Sequence, residues 1–184
     1  MSRPRLRSAP SRRLRPFVGR FIRARDGSAA VEFGMVALPF CLMVFAILEL
    51  ALVFVTDSVL ENAAIETGRL VRTGQASASS MTPEQFKTSL CSRMSIFSAD
   101  CATRAKIDVR VIPQFATVPP DPLQSGTFDA SQMTYSNGVP GSLMLVRVWY
   151  EQPLLTTFLS QALSRTRNGP AILTATTAFR NEPA

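Results

Sequence analysis

The residues able to do chemistry are few, and their spacing favours assembly over turnover. The chain has no histidine, so histidine-based triads, imidazole acid–base steps and histidine zinc sites are excluded. The carboxylates after residue 55 (Asp57, Glu61, Glu66, Glu84, Asp100, Asp108, Asp121, Asp129, Glu151, Glu182) are scattered singly. No glycine loop that could cradle a phosphate is present. Two groupings stand out. In the first, Gly27 precedes Ser28, and Glu32 and Phe33 follow at the mouth of an apolar run. In the second, Cys91 and Cys101 lie ten positions apart, whereas Cys41 sits inside the apolar run, where it packs as a small hydrophobe.

The element that must position the first grouping is the stretch Phe33–Val55, 23 residues with the single charge Glu49. At about 1.5 Å per residue it reaches about 34 Å, enough for a hydrocarbon core of about 30 Å. It exceeds the 7–15 residues of a secretory signal core. Ahead of it, residues 1–26 hold nine arginines against Asp26, while the rest of the chain holds 11 basic and 12 acidic residues. An arginine-rich arm before a span stays in the cytoplasm, so everything after residue 55 is expected outside it. The basic arm thereby has a topological role, and a nucleic-acid partner is not expected. Residues 1–24 lack apolar periodicity and are expected to be disordered.

Export bears on the cysteines. An oxidising compartment lets Cys91 and Cys101 pair; the alternative is two unrelated free thiols, and export favours the bond. Glu49, toward the outer end of the span, has two readings: a side chain that snorkels to the interface, or a contact between helices. Glu32 suits a carboxylate at headgroup level near a helix N-terminus.

The helical pattern is expected to begin near Ser28, a suitable cap, and to bend at Pro39. It continues past Val55 through Val59, Leu60, Ala63, Ala64, Leu70 and Val71 to Gly74, as an amphipathic stalk. Gln75–Ser80 reads as a linker and Pro83–Phe97 as one helix with Phe86, Leu90, Met94 and Phe97 on a stripe. Lys106–Ile112, Leu143–Glu151 and Ile172–Arg180 read as strands. In the first, Ile107, Val109 and Val111 face one way and Lys106, Asp108 and Arg110 the other. Residues 113–141, rich in proline and glycine, read as a long excursion without period. A short amphipathic helix is expected around Leu154–Leu163, and a turn at Asn168-Gly169-Pro170. The fold class is α+β: a long N-terminal transmembrane and stalk helix, then a small exported domain of a few antiparallel strands with packed helices. The expected organisation is a basic cytoplasmic leader arm (1–27), a transmembrane helix (28–55), an amphipathic stalk (56–74) and a periplasmic domain (75–184).

The stretch Arg25-Asp26-Gly27-Ser28-Ala29-Ala30-Val31-Glu32-Phe33, followed by Leu38-Pro39-Phe40, resembles the N-terminal signature of TadE-like proteins, pseudopilins of the tight-adherence (Flp-type) pilus system. The resemblance continues at Ala63-Ala64, Gly68-Arg69 and Arg72-Thr73-Gly74-Gln75, resumes at the two cysteines and closes at Ala178-Phe179-Arg180-Asn181-Glu182-Pro183. It implies cleavage by a prepilin peptidase between Gly27 and Ser28, which makes Glu32 the fifth mature residue and Phe33 the sixth. Cleavage frees an α-amine with a reference pKa of about 7.7–8.0. The Glu32 carboxylate, one turn away or on a neighbouring subunit, can neutralise it. The implied partners are other pilins and pseudopilins of the Tad system, the prepilin peptidase and inner-membrane lipid. No enzymatic activity, cofactor, metal or small-molecule substrate is implied. Two other readings remain: an uncleaved, signal-anchored scaffold of the same machinery, and, against the residue chemistry, a membrane-tethered exported hydrolase.

Overall fold

The computed structural model describes residues 26–117, 119–124, 126–165 and 169–183. The arginine arm, the disorder expected for 1–24 and Asn168 of the expected turn lie outside the described residues. Helix α1 runs Asp26–Arg72, 47 residues, and continues through Pro39. It starts ahead of Ser28, so Ser28 is an interior residue and not the cap. The helix stops at Gly74, whose φ of 75° is a left-handed conformation that glycine adopts without a Cβ clash. The Gly74 N–H then closes on the Val71 carbonyl at 3.1 Å.

Two compact units divide the chain within α1, between Val44 and Phe45. In the second unit the amphipathic part of α1 packs into the domain core. Thr56, Leu60, Ala63, Ala64, Thr67 and Val71 form a buried stripe at three- and four-residue spacing. Thr56 and Thr67 tolerate burial because each hydroxyl donates to the carbonyl four residues back, at 2.8 and 2.7 Å. The small Ala63, Ala64 and Gly68 permit close approach to the sheet: a Cβ on Gly68 would lie 3.2 Å from the Phe179 ring and 3.3 Å from Thr177.

The stretch read as a linker forms a short helix, α2 (Gln75–Ala78), because Ala76 finds a place in the core. Helix α3 (Pro83–Ser92) opens with a reciprocal cap. The Gln85 N–H donates to Thr82 Oγ1 at 3.3 Å, and the Thr82 N–H donates to Gln85 Oε1 at 2.9 Å. The expected single helix to Phe97 is broken. A 3-10 turn at Ser95–Phe97 leads into α4 (Ser98–Arg104), a separate helix not among the expected elements. The break falls beside Ser95, at φ 52°. Cys91 and Cys101 tie the two helices in a disulfide with their Cα atoms 5.4 Å apart.

Three strands form an antiparallel sheet in the order β1-β4-β5: β1 (Ala105–Ile112), β4 (Leu143–Gln152) and β5 (Ala171–Arg180). Val109 pairs with Val146, and Val146 in turn with Thr177. Val109, Met144, Val146, Val148, Tyr150 and Ala175 make the face that joins the α1 stripe, Phe86, Leu90 and Met94 in one core.

The opposite face is not a solvent face. Asp108 is fully buried, whereas Val111, expected inward, is about half exposed near the end of its strand. The reason is residues 113–141, which are not structureless. They carry a small hairpin, β2 (Leu123–Gln124) with β3 (Thr127–Phe128), and a 3-10 turn at Ala130–Gln132. They also run along β1: the Val109 N–H donates to the Thr134 carbonyl at 2.9 Å, and the Ser136 N–H to the Val109 carbonyl at 2.8 Å. That covers an edge otherwise open to pairing.

Candidate functional site

The apolar part of α1 holds the residues singled out for processing and assembly. Among the described residues of the first unit, large apolar side chains point outward all round: Val31, Phe33, Met35, Val36, Leu38, Phe40, Leu42 and Met43 are each exposed. An apolar helix of this kind belongs inside a protein core or a membrane. Only 6% of its most apolar window is buried, so it is long and apolar enough to cross a membrane and lacks a core of its own.

Gly27 and Ser28 lie within the first turns of this helix, and no atom outside the helix approaches within 4 Å of a Cβ placed on Gly27. The Ser28 hydroxyl donates to Glu32 Oε1 at 2.8 Å across one helical turn. Ser28 and Glu32 therefore already face each other through their side chains. Phe33 is three-quarters exposed, with its ring free for lipid or a neighbouring helix. The expected helix start near Ser28 is set back to Asp26, so Gly27 is already helical. The scissile bond proposed there is wound into α1, and a protease needs it extended.

Glu49 does not reach along its own helix; it meets the start of another helix of this chain. Its carboxylate turns to the domain. It accepts from the Thr156 N–H at 3.0 Å, from the Thr156 hydroxyl at 2.5 Å and from the Leu155 N–H. Thr156 immediately precedes helix α5 (Thr157–Leu163) and its own side chain makes no cap, so Glu49 supplies an acceptor that this helix start lacks. The contact spans 107 residues of sequence, and no local pattern foretells it.

On the covered face of the sheet, Asp108 collects the polar side of the domain. Arg147, its partner in strand register, donates from Nε and Nη2 to Asp108 Oδ2 at 3.0 and 2.8 Å. Arg110 Nη2 donates to Oδ1 at 2.6 Å, and the Thr134 N–H to Oδ1 at 2.9 Å. Burial pushes the Asp108 carboxyl up, but the Arg110 fork, the Thr134 N–H and Arg147 outweigh it and hold it below the usual aspartate range. Arg147 also donates to the carbonyl of Pro120 at 3.1 Å and stands 4.8 Å over the Trp149 ring, which meets Phe128 edge-on. The cluster pins the long excursion to the sheet. With every lone pair engaged by arginine or backbone it has the form of a structural clasp. Among the described residues no three His, Cys, Asp or Glu side chains gather as a metal ion would require.

Two distant segments noted in the sequence meet at the end of α1. The Glu182 N–H donates to the Arg72 carbonyl at 2.9 Å, and Arg72 Nε lies 3.5 Å from Glu182 Oε1. The C-terminal segment thus takes up a carbonyl left free by the helix end.

Residues 27–69 match the family model described as TadE-like protein. Over that segment the chain is similar to TadE-like proteins. The match covers the candidate processing bond, Glu32, Phe33, Glu49 and most of the buried stripe, and it stops before the sheet. It is consistent with a protein of the Tad pilus system that carries a membrane helix. No curated protein and no solved structure matches the chain.

Proposed function

We propose that this TadE-like protein is a minor pseudopilin, a single-pass inner-membrane protein that helps assemble a Flp/Tad-type pilus used for surface adherence. The observation that carries the reading is the TadE-like match, which begins at residue 27 and runs over the exposed apolar part of α1. The arginine arm stays cytoplasmic and the domain is periplasmic, where the Cys91–Cys101 bond is at home. Its action is packing: Phe33 and the outward apolar side chains lie against lipid before assembly and against other pilins and pseudopilins after it. A prepilin peptidase cuts between Gly27 and Ser28. Glu32, already hydrogen-bonded to Ser28, then neutralises the new amine within the helix or on a neighbour.

One observation favours the second reading, an uncleaved scaffold of the same machinery: the Gly27–Ser28 bond is helical here. Cleavage then requires the first turn to unwind, which Gly27 eases because glycine is a poor helix former, by about 1 kcal/mol against alanine. The mature N-terminus in native membranes decides between them. A chain that begins at Ser28 in cells with the peptidase supports the pseudopilin. A chain that still carries its nine-arginine arm in such cells supports the scaffold and overturns the processing role of Gly27 and Ser28.

A further inference from the structure

Of the amphipathic helix expected around Leu154–Leu163 only Thr157–Leu163 is helical, and most of its apolar side chains are turned out. Leu159 is its buried anchor, whereas Leu155 is 93% and Phe158 74% exposed. Phe158 and Ala162, four apart in the helix, are both exposed on one side of it, and Leu155 is exposed in the bend that leads into it. A soluble domain of this size gains nothing by showing a leucine and a phenylalanine side by side, and such a patch marks a contact surface.

Glu49 fixes where that surface sits. Through the Leu155 and Thr156 N–H groups and the Thr156 hydroxyl, it holds the start of α5 at the level of residue 49 on α1. The apolar band runs on to Val55, with Ile47, Leu48, Leu52 and Phe54 all more than half exposed. Six residues of helix separate Glu49 from Val55, about 9 Å. Amphipathic helices that lie in a membrane interface bury their apolar face about 5–10 Å into the headgroup and acyl boundary. The level set by Glu49 and the depth such a helix seeks therefore coincide.

We propose that α5 and the bend before it are a second, in-plane membrane contact of the domain, with Leu155, Phe158 and Ala162 seated in the outer leaflet boundary beside the transmembrane helix. The occupant of this face is lipid. Glu49 acts as the latch: its carboxylate is satisfied by the helix start it captures, which makes a charge tolerable at that depth. The domain is thereby held against the bilayer at two points and its tilt is restricted. The inference rests on the reading of α1 as a membrane span.

Spin labels on the full chain in phosphatidylethanolamine–phosphatidylglycerol nanodiscs test it, in a Cys41→Ser background with the Cys91–Cys101 bond intact. Labels are placed singly through Ile47→Cys, Phe158→Cys, Ala162→Cys and Ile96→Cys; Ile96 is 79% exposed. Relaxation by oxygen reports lipid, and relaxation by a water-soluble nickel chelate reports solvent. The expected result is oxygen as the stronger relaxant at 47, 158 and 162 and nickel at 96, with Glu49→Gln reversing the ratio at 158 and 162 but not at 47. A nickel-dominated signal at 158 and 162 with a lipid-like 47 overturns the proposal alone. A water-like 47 overturns the membrane span, and the proposal with it. Shielding from both reagents that grows with the number of copies per disc assigns the face to a protein partner and also overturns the proposal.

Discussion

Removing the Asp108 carboxylate should be the most destabilising single change in the domain that follows the membrane-length part of α1. In Asp108→Ala, Arg147 keeps its place in β4 at 11% side-chain exposure and Arg110 at 20%, and both lose their counter-charge. Breaking a buried ion pair by deleting one partner costs about 3–5 kcal/mol, because the other charge stays buried. The Thr134 N–H also loses its acceptor, and an unsatisfied buried donor costs about 1–3 kcal/mol. Against a total stability of about 5–15 kcal/mol for an ordinary domain, that is a large fraction. Urea unfolding of the full chain in detergent micelles reads it directly, since Trp149 is the single tryptophan, is buried and touches Arg147. Removing both partners, Asp108→Ala with Arg147→Met, should cost less than the two single changes added together, because no lone charge from the pair remains. The pH dependence has a definite sign. The folded carboxyl titrates below its unfolded value of about 3.9. Its contribution is thus fully present above that pH and is lost as pH falls through the folded pKa. Wild type should lose this increment in acid, and Asp108→Ala should not. A loss within about 1 kcal/mol for Asp108→Ala, or strict additivity in the pair, would refute the reasoning.

Gly68→Leu should destabilise by about 1–3 kcal/mol through overpacking against Phe179 and Thr177, visible as a lower urea midpoint; an unchanged midpoint would mean that α1 and β5 are not in contact. Replacing Cys91 and Cys101 together by alanine should lower stability by about 2–3 kcal/mol for a loop of this length, and thiol labelling of the denatured, unreduced wild type should leave both cysteines unmodified. A periplasm-active reporter fused at Gln75 should be active, and cytoplasmic activity there would reverse the topology. Glu32→Ala should still be processed yet assemble poorly with partner pilins; normal assembly would remove the charge-pairing role of Glu32 without touching the cleavage claim.

The sequence by itself determined whatever depends on local period and composition. The membrane-length helix follows from 23 consecutive residues with one charge, the three strands from two-residue alternation, and the start of α3 from Pro83. The segment matched as TadE-like was legible for the same reason: Gly27, Ser28, Glu32 and Phe33 are neighbours in the chain. Tertiary structure decided what distant residues do to one another. Asp108 reads as a solvent-facing strand residue until Arg147, 39 positions away, and the 113–141 excursion close over it. The amphipathic continuation of α1 reads as a free stalk until the sheet packs on its small residues. Phe158 reads as core because its spacing from Leu155 and Leu159 is helical. Yet spacing reports only that side chains share a face; which way the face turns depends on distant contacts, among them Glu49, 107 positions before Thr156. Periodicity is a property of a segment, whereas burial belongs to whatever the rest of the chain brings against it.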